Sequence, residues 1–153
     1  MFFDTVSDLL RAKGSITLHS VAPDATVADA LRLMKRKDVG ALLIVNGAGL
    51  EGILTETDVL QKIVEPGLDA ERTPVRAAMT ANPKTVAPHE RASRALDLMA
   101  QGDLRHLPVT EGGKVCGVLS VRDLNDWLTR ELRTQVDGAL MAVKSMGMAN
   151  RGR

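Results

Sequence analysis

The sequence has little of several things, and each shortage excludes something. One cysteine, Cys116, stands in 153 residues, so no internal disulfide and no multi-cysteine zinc site can be built. Aromatic residues are confined to Phe2, Phe3 and Trp127, and tyrosine is missing; a surface that stacks single-stranded bases would carry more. Neither sign of charge dominates, since 20 Lys and Arg against 19 Asp and Glu leave +1. No global field therefore draws the chain to nucleic acid or an anionic membrane. No apolar run approaches the roughly 18 residues needed to cross a bilayer. The start, MFFDTVSDLL, has no basic n-region and meets Asp4 at once, which makes a poor signal peptide. These shortages predict a cytoplasmic protein with neither a nucleic-acid nor a membrane partner.

What is present is a folded-protein composition, 44% hydrophobic and 25% charged, and an internal repeat. Sliding the chain by 65 positions lays Val21-Ala22-Pro23 on Val86-Ala87-Pro88. Ala30, Leu31, Leu33 and Met34 then fall on Ala95, Leu96, Leu98 and Met99, Asp38 on Asp103, and Leu42 on Leu107. Gly47, Gly52, Leu54 and Asp58 fall on Gly112, Gly117, Leu119 and Asp123, with no gap from Val21 to Val59.

Each copy carries the same pattern. Val27, Ala30, Leu31, Met34 and Ala92, Ala95, Leu96, Met99 have the i, i+3, i+4, i+7 spacing of a helix with one buried face. Thr26 and Asp29 predict a capping box; Arg91 at the equivalent place predicts a different cap. Two short apolar runs around a Gly-rich turn follow: Ala41–Val45 and Leu50–Leu54, then Leu107–Val109 and Val115–Leu119. They predict a β-hairpin. A second helix should begin near Asp58 or Asp123, so each unit is strand, helix, hairpin, helix. One unit is too small to bury its apolar faces, whereas two can share a core. The Pro/Gly/charge-rich stretch around 66–74 is a surface linker. Val75–Met79 resembles Val6–Leu10, a short helix leading into each unit.

The order Ala77-Ala78-Met79-Thr80, Thr85-Val86, Arg105-His106-Leu107-Pro108-Val109, Gly117-Val118-Leu119-Ser120-Val121-Arg122-Asp123 resembles a CBS domain pair, or Bateman module, from about Val6 to Leu128. The resemblance implies an α/β (α+β) fold with tandem β-α-β-β-α repeats packed as a pseudo-twofold pair. The expected divisions are 1–65 for repeat one with its lead-in, 66–74 for the linker, 75–128 for repeat two, and 129–153 for a C-terminal helix and basic tail. No catalytic domain, channel or transporter is recognisable, so a free-standing pair is expected. Such pairs commonly take adenosine-containing ligands (AMP, ADP, ATP, NAD or S-adenosylmethionine) in clefts between the repeats, dimerise, and regulate an as yet unknown partner protein rather than catalyse.

The chemistry of Ser-x-x-Asp supports this independently. An ionised carboxylate has acceptors only, and a ribose 2′,3′-diol offers two neighbouring donors. A helix start fixes the Asp and presents N–H groups and a positive dipole end to phosphate. Asp123 and Ser120 are the first candidates, with Val118 on the strand before them. Arg122, Arg105 and His106 can meet phosphate, and Val39 and Gly40 are expected to line the same cleft from the other repeat. Thr55 and Asp58 are the equivalent pair in repeat one, where Glu56 adds negative charge and predicts a site that is weaker, empty or suited to an uncharged tail. Asp is also a common N-cap, so capping and ribose binding stand side by side as roles. Cys116 and the methionines are expected to pack, and His19 and His89 to be solvated. The helix after Asp123 continues through Leu124, Trp127, Leu128, Leu132, Val136, Leu140 and Val143. It is expected either to cover the module or to present Trp127 and Leu132 to a second chain. A structural dimerisation module with vestigial clefts is the alternative function. An enzyme ranks last, because no nucleophile–base pair, metal cluster or Gly-rich phosphate loop is recognisable.

Overall fold

The computed structural model describes residues 4–14, 18–47 and 49–149. The expectation of a basic, disordered tail falls largely on 150–153, outside the described residues, as does Ala48 of the first hairpin turn.

The repeat predicted from sequence is the organising feature. In repeat one, β1 (Ser20–Val21) leads to α2 (Val27–Lys37), the hairpin of β2 (Ala41–Asn46) and β3 (Gly49–Thr55), and α3 (Glu56–Val59), which continues as a π-helical turn through Leu60–Val64. In repeat two, α4 (Ala92–Gly102) leads to the hairpin of β5 (His106–Glu111) and β6 (Lys114–Ser120) and to α5 (Val121–Ala149). Before each repeat stands a lead-in, the helix α1 (Val6–Ala12) for the first and a 3-10 turn (Val75–Ala77) with β4 (Thr80–Ala81) for the second.

The hairpins match in detail. Each has a register shift at the same place, between Ile44 and Val45 in one and Val109 and Thr110 in the other. Such a shift is a β-bulge that bends and twists the strand. β1 pairs in parallel with β2; its counterpart is reduced to a single parallel bridge from Val86 to Val109. The helices end alike as well. Asp38 and Asp103 both adopt left-handed backbone, with φ of 52° and 49°, and Asp tolerates this conformation better than most residues. That accounts for their alignment in the repeat.

Two cores form, and the lead-ins are exchanged between them. Val27, Ala30, Met34, Leu42, Ile44, Leu54, Val59 and Ile63 pack with Val75 and Ala78 from the second lead-in. Val86, Ala92, Ala95, Met99, Leu107, Val109, Leu119, Leu124 and Trp127 pack with Val6, Leu9 and Leu10 from the first. Backbone bonds fix the exchange symmetrically. Val27 N–H donates to Thr73 O (2.9 Å) and Val75 N–H to Ala25 O (2.8 Å); Ala92 N–H donates to Asp4 O and Val6 N–H to Glu90 O, both at 2.8 Å. Each helix start thus gives an otherwise orphaned N–H to the lead-in that packs beside it. This is how α4 starts behind Arg91, which makes no side-chain cap. At α2 half of the expected capping box forms: Thr26 Oγ1 accepts from Asp29 N–H, but the Asp29 carboxylate accepts from Arg32 instead of the Thr26 backbone.

The exchange also explains two glycines. A Cβ on Gly52 would lie 2.6 Å from Met79 Sδ and 2.8 Å from Thr80 O, and one on Gly117 would lie 2.8 Å from both Leu10 methyl carbons. Leu10 and Met79 occupy matching places in their lead-ins, and each fills the space that a glycine leaves in the repeat it does not precede.

Two expectations are settled or corrected. Of the two readings of the last helix, Trp127 follows the covering one and is not a surface for a second chain: it is 3% exposed in the second core, and its Nε1–H donates to Asp4 Oδ2 at 2.7 Å. Leu31 and Leu96, taken as core, are only partly covered and line cavities. The outer part of α5, from Thr129 on, is exposed almost throughout.

Candidate functional site

Between the repeats lies a cleft of about 1350 Å³, larger than the few hundred to a thousand cubic ångströms of most small-molecule sites. Ser120, Arg122, Asp123, Arg105, His106 and Val118 line it from repeat two, and Val39 and Gly40 from repeat one. The remaining two candidates, Thr55 and Asp58, do not.

The reason lies in how each Asp is used. Asp58 is 8% exposed. Its Oδ2 accepts from Thr55 N–H and Oγ1–H, both at 3.0 Å, while Thr55 Oγ1 accepts from Asp58 N–H at 3.2 Å. Its Oδ1 accepts from Thr80 Oγ1–H at 3.0 Å and pairs with Lys62 Nζ at 3.2 Å. Lys62 is itself held by the carbonyls of Ala78 and Met79. Both oxygens of Asp58 therefore serve the fold, joining α3 to the second lead-in.

Asp123 is placed differently. Its Oδ2 accepts from Ser120 N–H at 2.7 Å, and Ser120 Oγ accepts from Asp123 N–H at 3.2 Å. This capping pair locks the carboxylate in the lining of the cleft. Lys13 Nζ approaches the same Oδ2 to 2.9 Å and donates to Val118 O at 3.0 Å. Among the described residues, Oδ1 receives no hydrogen bond. Capping thus leaves this cleft-lining side chain one acceptor oxygen without a donor among the described residues.

Repeat one brings an unexpected charge to the cleft. Glu56, expected beside Asp58, instead lines the Asp123 cleft. The position of a Cβ on Gly40 would be 3.6 Å from both Glu56 Oε2 and His106 Cε1, so Gly40 separates a carboxylate of one repeat from an imidazole of the other. Glu56 N–H donates to Gly40 O at 3.2 Å, which turns α3 toward the cleft. His106 Nδ1 is buried with no partner among the described residues. Burial is the main cause that lowers its pKa, opposed by Glu56 and Asp123 and assisted by Lys13 and Arg105. His19, expected in solvent, is half-buried and lines the cleft too. Cys116 is half-buried and its thiol donates to Val109 O; burial raises its pKa.

A second, smaller cavity of about 450 Å³ is lined by Leu96, Met99, Ala100, Asp103, Leu104 and Arg105, with Val121 and Leu124. The first six are the repeat-two counterparts of Leu31, Met34, Lys35, Asp38, Val39 and Gly40 in the main cleft. The pseudo-twofold thus makes two hollows. The larger has Asp123 at its wall, whereas Asp58 lies outside the smaller. Arg105 lines both cavities.

Lys13, and the places of Glu56 and His19 in the cleft, are what sequence reading missed. The only signal for Lys13 is that the first lead-in is longer: Val6 to Val21 spans 15 positions, Val75 to Val86 only 11.

Comparison with known proteins agrees with this architecture. The family model for the CBS domain matches twice, at residues 6–65 and 75–130. The mitochondrial CBS domain-containing protein CBSX3 of Arabidopsis thaliana is 34% identical over 140 residues, covering 86% of this chain and 68% of that protein. Against longer Arabidopsis relatives, such as CBSCBSPB2, the chain spans only 25% of the length. The crystal structure of the CBS domain NE2398 superposes with a TM-score of 0.78 at 34% identity, covering 82% of this chain and 98% of that one. A CBS domain protein from Pyrobaculum aerophilum, complexed with AMP, gives 0.70 at 25% identity, covering 78% and 89%. The two matched segments are the two repeats described above, and the chain belongs to the CBS-domain family as a tandem pair.

Proposed function

We propose that the protein is a regulatory sensor whose central cleft takes an adenosine-containing ligand: AMP, ADP, ATP, NAD or S-adenosylmethionine. The observation that carries this reading is Asp123, whose carboxylate is locked by Ser120 and keeps one oxygen without a donor among the described residues, in the lining of a cleft that both repeats wall. A ribose diol supplies the donors it lacks. Arg105, Arg122 and His106 stand on the same wall to meet phosphate, and Leu31, Met34 and Leu42 offer apolar surface to the base. The AMP carried by the Pyrobaculum relative supports the ligand class.

Because the cleft is walled by both repeats, an occupant favours the relative packing that fits it, and a partner protein can read that packing. With Asp58 engaged internally, the expected stoichiometry is a single ligand per chain. The role is binding rather than catalysis, in a reducing cytoplasm where a lone half-buried thiol is stable. No helix among the described residues is long and apolar enough to cross a membrane.

Thermal unfolding with each of the five compounds tests the reading. A ligand at 100 times its dissociation constant adds about 2.7 kcal/mol, roughly 5–11 °C for a chain of this size. Asp123→Ala should remove the shift with the fold intact. If none of the five moves the wild-type curve, the sensor reading fails.

One observation favours the second reading, a dimerisation module. Leu132, Val136, Leu140, Val143 and Met146 on α5 are 50–73% exposed and recur at helical spacing. A long apolar stripe of this kind serves as a seam for another helix, and a homodimer through α5 is compatible with ligand sensing in the cleft.

A further inference from the structure

The ion pair between Lys13 and Asp123 bears on which adenosine compounds can enter, an inference that rests on the reading of the Asp123 cleft just given. A carboxylate oxygen has two lone pairs. Oδ2 of Asp123 gives them to Ser120 N–H at 2.7 Å and Lys13 Nζ at 2.9 Å, so it is full, and only Oδ1 is open among the described residues. A ribose diol that engages both oxygens must therefore displace Lys13. The ammonium is well held, since Val118 O accepts from it at 3.0 Å. Its backbone is anchored as well: Lys13 N–H donates to Leu9 O, at the end of a helix whose Leu9 and Leu10 are buried in the second core.

Asp58 shows that the arrangement is particular to one repeat. There the pairing cation, Lys62, comes from the same repeat as the aspartate, and the second lead-in supplies Thr80, a neutral hydroxyl that shares Oδ1 with it and closes the site. At Asp123 the first lead-in supplies a cation, on a flexible four-carbon stem, in the lining of a cleft that also holds Arg105 and Arg122. Displacing a cation from a carboxylate is unfavourable unless it finds another anion. A 5′-phosphate brings one into the same cleft; a neutral nucleoside does not.

We propose that Lys13 is a specificity-determining latch on Asp123, which opposes the diol of a neutral nucleoside and yields to a 5′-phosphorylated one by transferring its ammonium to the phosphate. The preference is set by the exchange of partners at Nζ, from carboxylate to phosphate, and requires no motion of the core.

Titration calorimetry with AMP and with adenosine, on wild type, Lys13→Ala and Lys13→Arg, tests this. Lys13→Ala should bind adenosine more tightly and AMP more weakly, so that the AMP-over-adenosine preference falls by about tenfold, the value of a charge-assisted hydrogen bond. Lys13→Arg should keep most of the preference. 2′,3′-Dideoxyadenosine should not gain from Lys13→Ala, because it lacks the diol. If Lys13→Ala changes both affinities by the same factor, or neither, Lys13 is only a structural cap and the proposal is overturned. A wild type blind to both compounds removes the adenosyl site itself, and the latch with it; that result differs from a wild type that binds and a variant that binds equally.

Discussion

Leu10 packs against Gly117, 107 positions along the chain and in the repeat that Leu10 does not precede. Met79 makes the matching contact with Gly52 in the other repeat. A methyl group at either glycine meets atoms closer than van der Waals distance, but the obstacles differ. At Gly117 only the ends of a leucine side chain stand in the way; at Gly52 the Thr80 carbonyl does as well. Gly52→Ala is expected to destabilise by about 2–3 kcal/mol and Gly117→Ala by about 1 kcal/mol, measured by urea denaturation. Equal losses would contradict the asymmetry.

The two aspartates separate stability from binding. Asp58→Ala removes a cap and strands Thr80 and Lys62, and should cost about 2 kcal/mol or more while leaving the ligand-induced thermal shift of the folded fraction in place. Asp123→Ala should cost about 1 kcal/mol as a lost cap and abolish the shift. Calorimetric stoichiometry near one ligand per chain checks the same assignment; two sites of similar affinity would mean that Asp58 opens in solution.

The repeats were legible because both copies face the same constraints: an alanine in each helix face, a glycine in each third strand, an aspartate at each left-handed helix end. Periodicity along the chain records such constraints directly. The exchange of lead-ins was not legible. Val6–Leu10 and Val75–Met79 are alike, and likeness shows that they play the same part without showing which core each enters. Contacts across the pseudo-twofold were hidden for the same reason. Glu56 was placed with its neighbour Asp58 by sequence, but the turn into α3 aims it at Gly40 and His106. Lys13 left only a difference in lead-in length. Trp127 stayed between a covering and a surface role because its partner, Asp4, lies at the far end of the chain.

Trp127 is the sole tryptophan, and its contact with Asp4 reports on docking of the first lead-in. Asp4→Ala should shift its emission to the red and lower stability by about 1.5 kcal/mol, read from fluorescence-detected denaturation. An unchanged spectrum would place the lead-in elsewhere.

His106 sets a pH dependence. Burial, foremost, holds its folded pKa below the usual 6.5. Above about pH 6.5 the imidazole is neutral in both states and contributes no slope. As pH falls below that value the unfolded chain takes up the proton first, so stability declines until the folded pKa is reached and then levels. His106→Gln should flatten the decline below about pH 6.5, measured by denaturant titration across the acid range. A variant with the same slope as wild type would assign it to other groups.

The stripe on α5 predicts self-association. Val136→Glu together with Val143→Glu should yield a monomer in sedimentation equilibrium while sparing the ligand-induced thermal shift, since both residues lie far along the helix from the cleft. A wild type already monomeric would leave α5 without a second copy to meet.

The traded lead-ins carry an implication for ancestry. A lone ancestral repeat with its own lead-in could fill its hydrophobic interior only by swapping that segment with an identical molecule, so the tandem gene reads as the fusion of an intertwined dimer. A polypeptide cut to residues 1–65 should therefore fold only as a two-chain species; a stable single-chain form would refute this history.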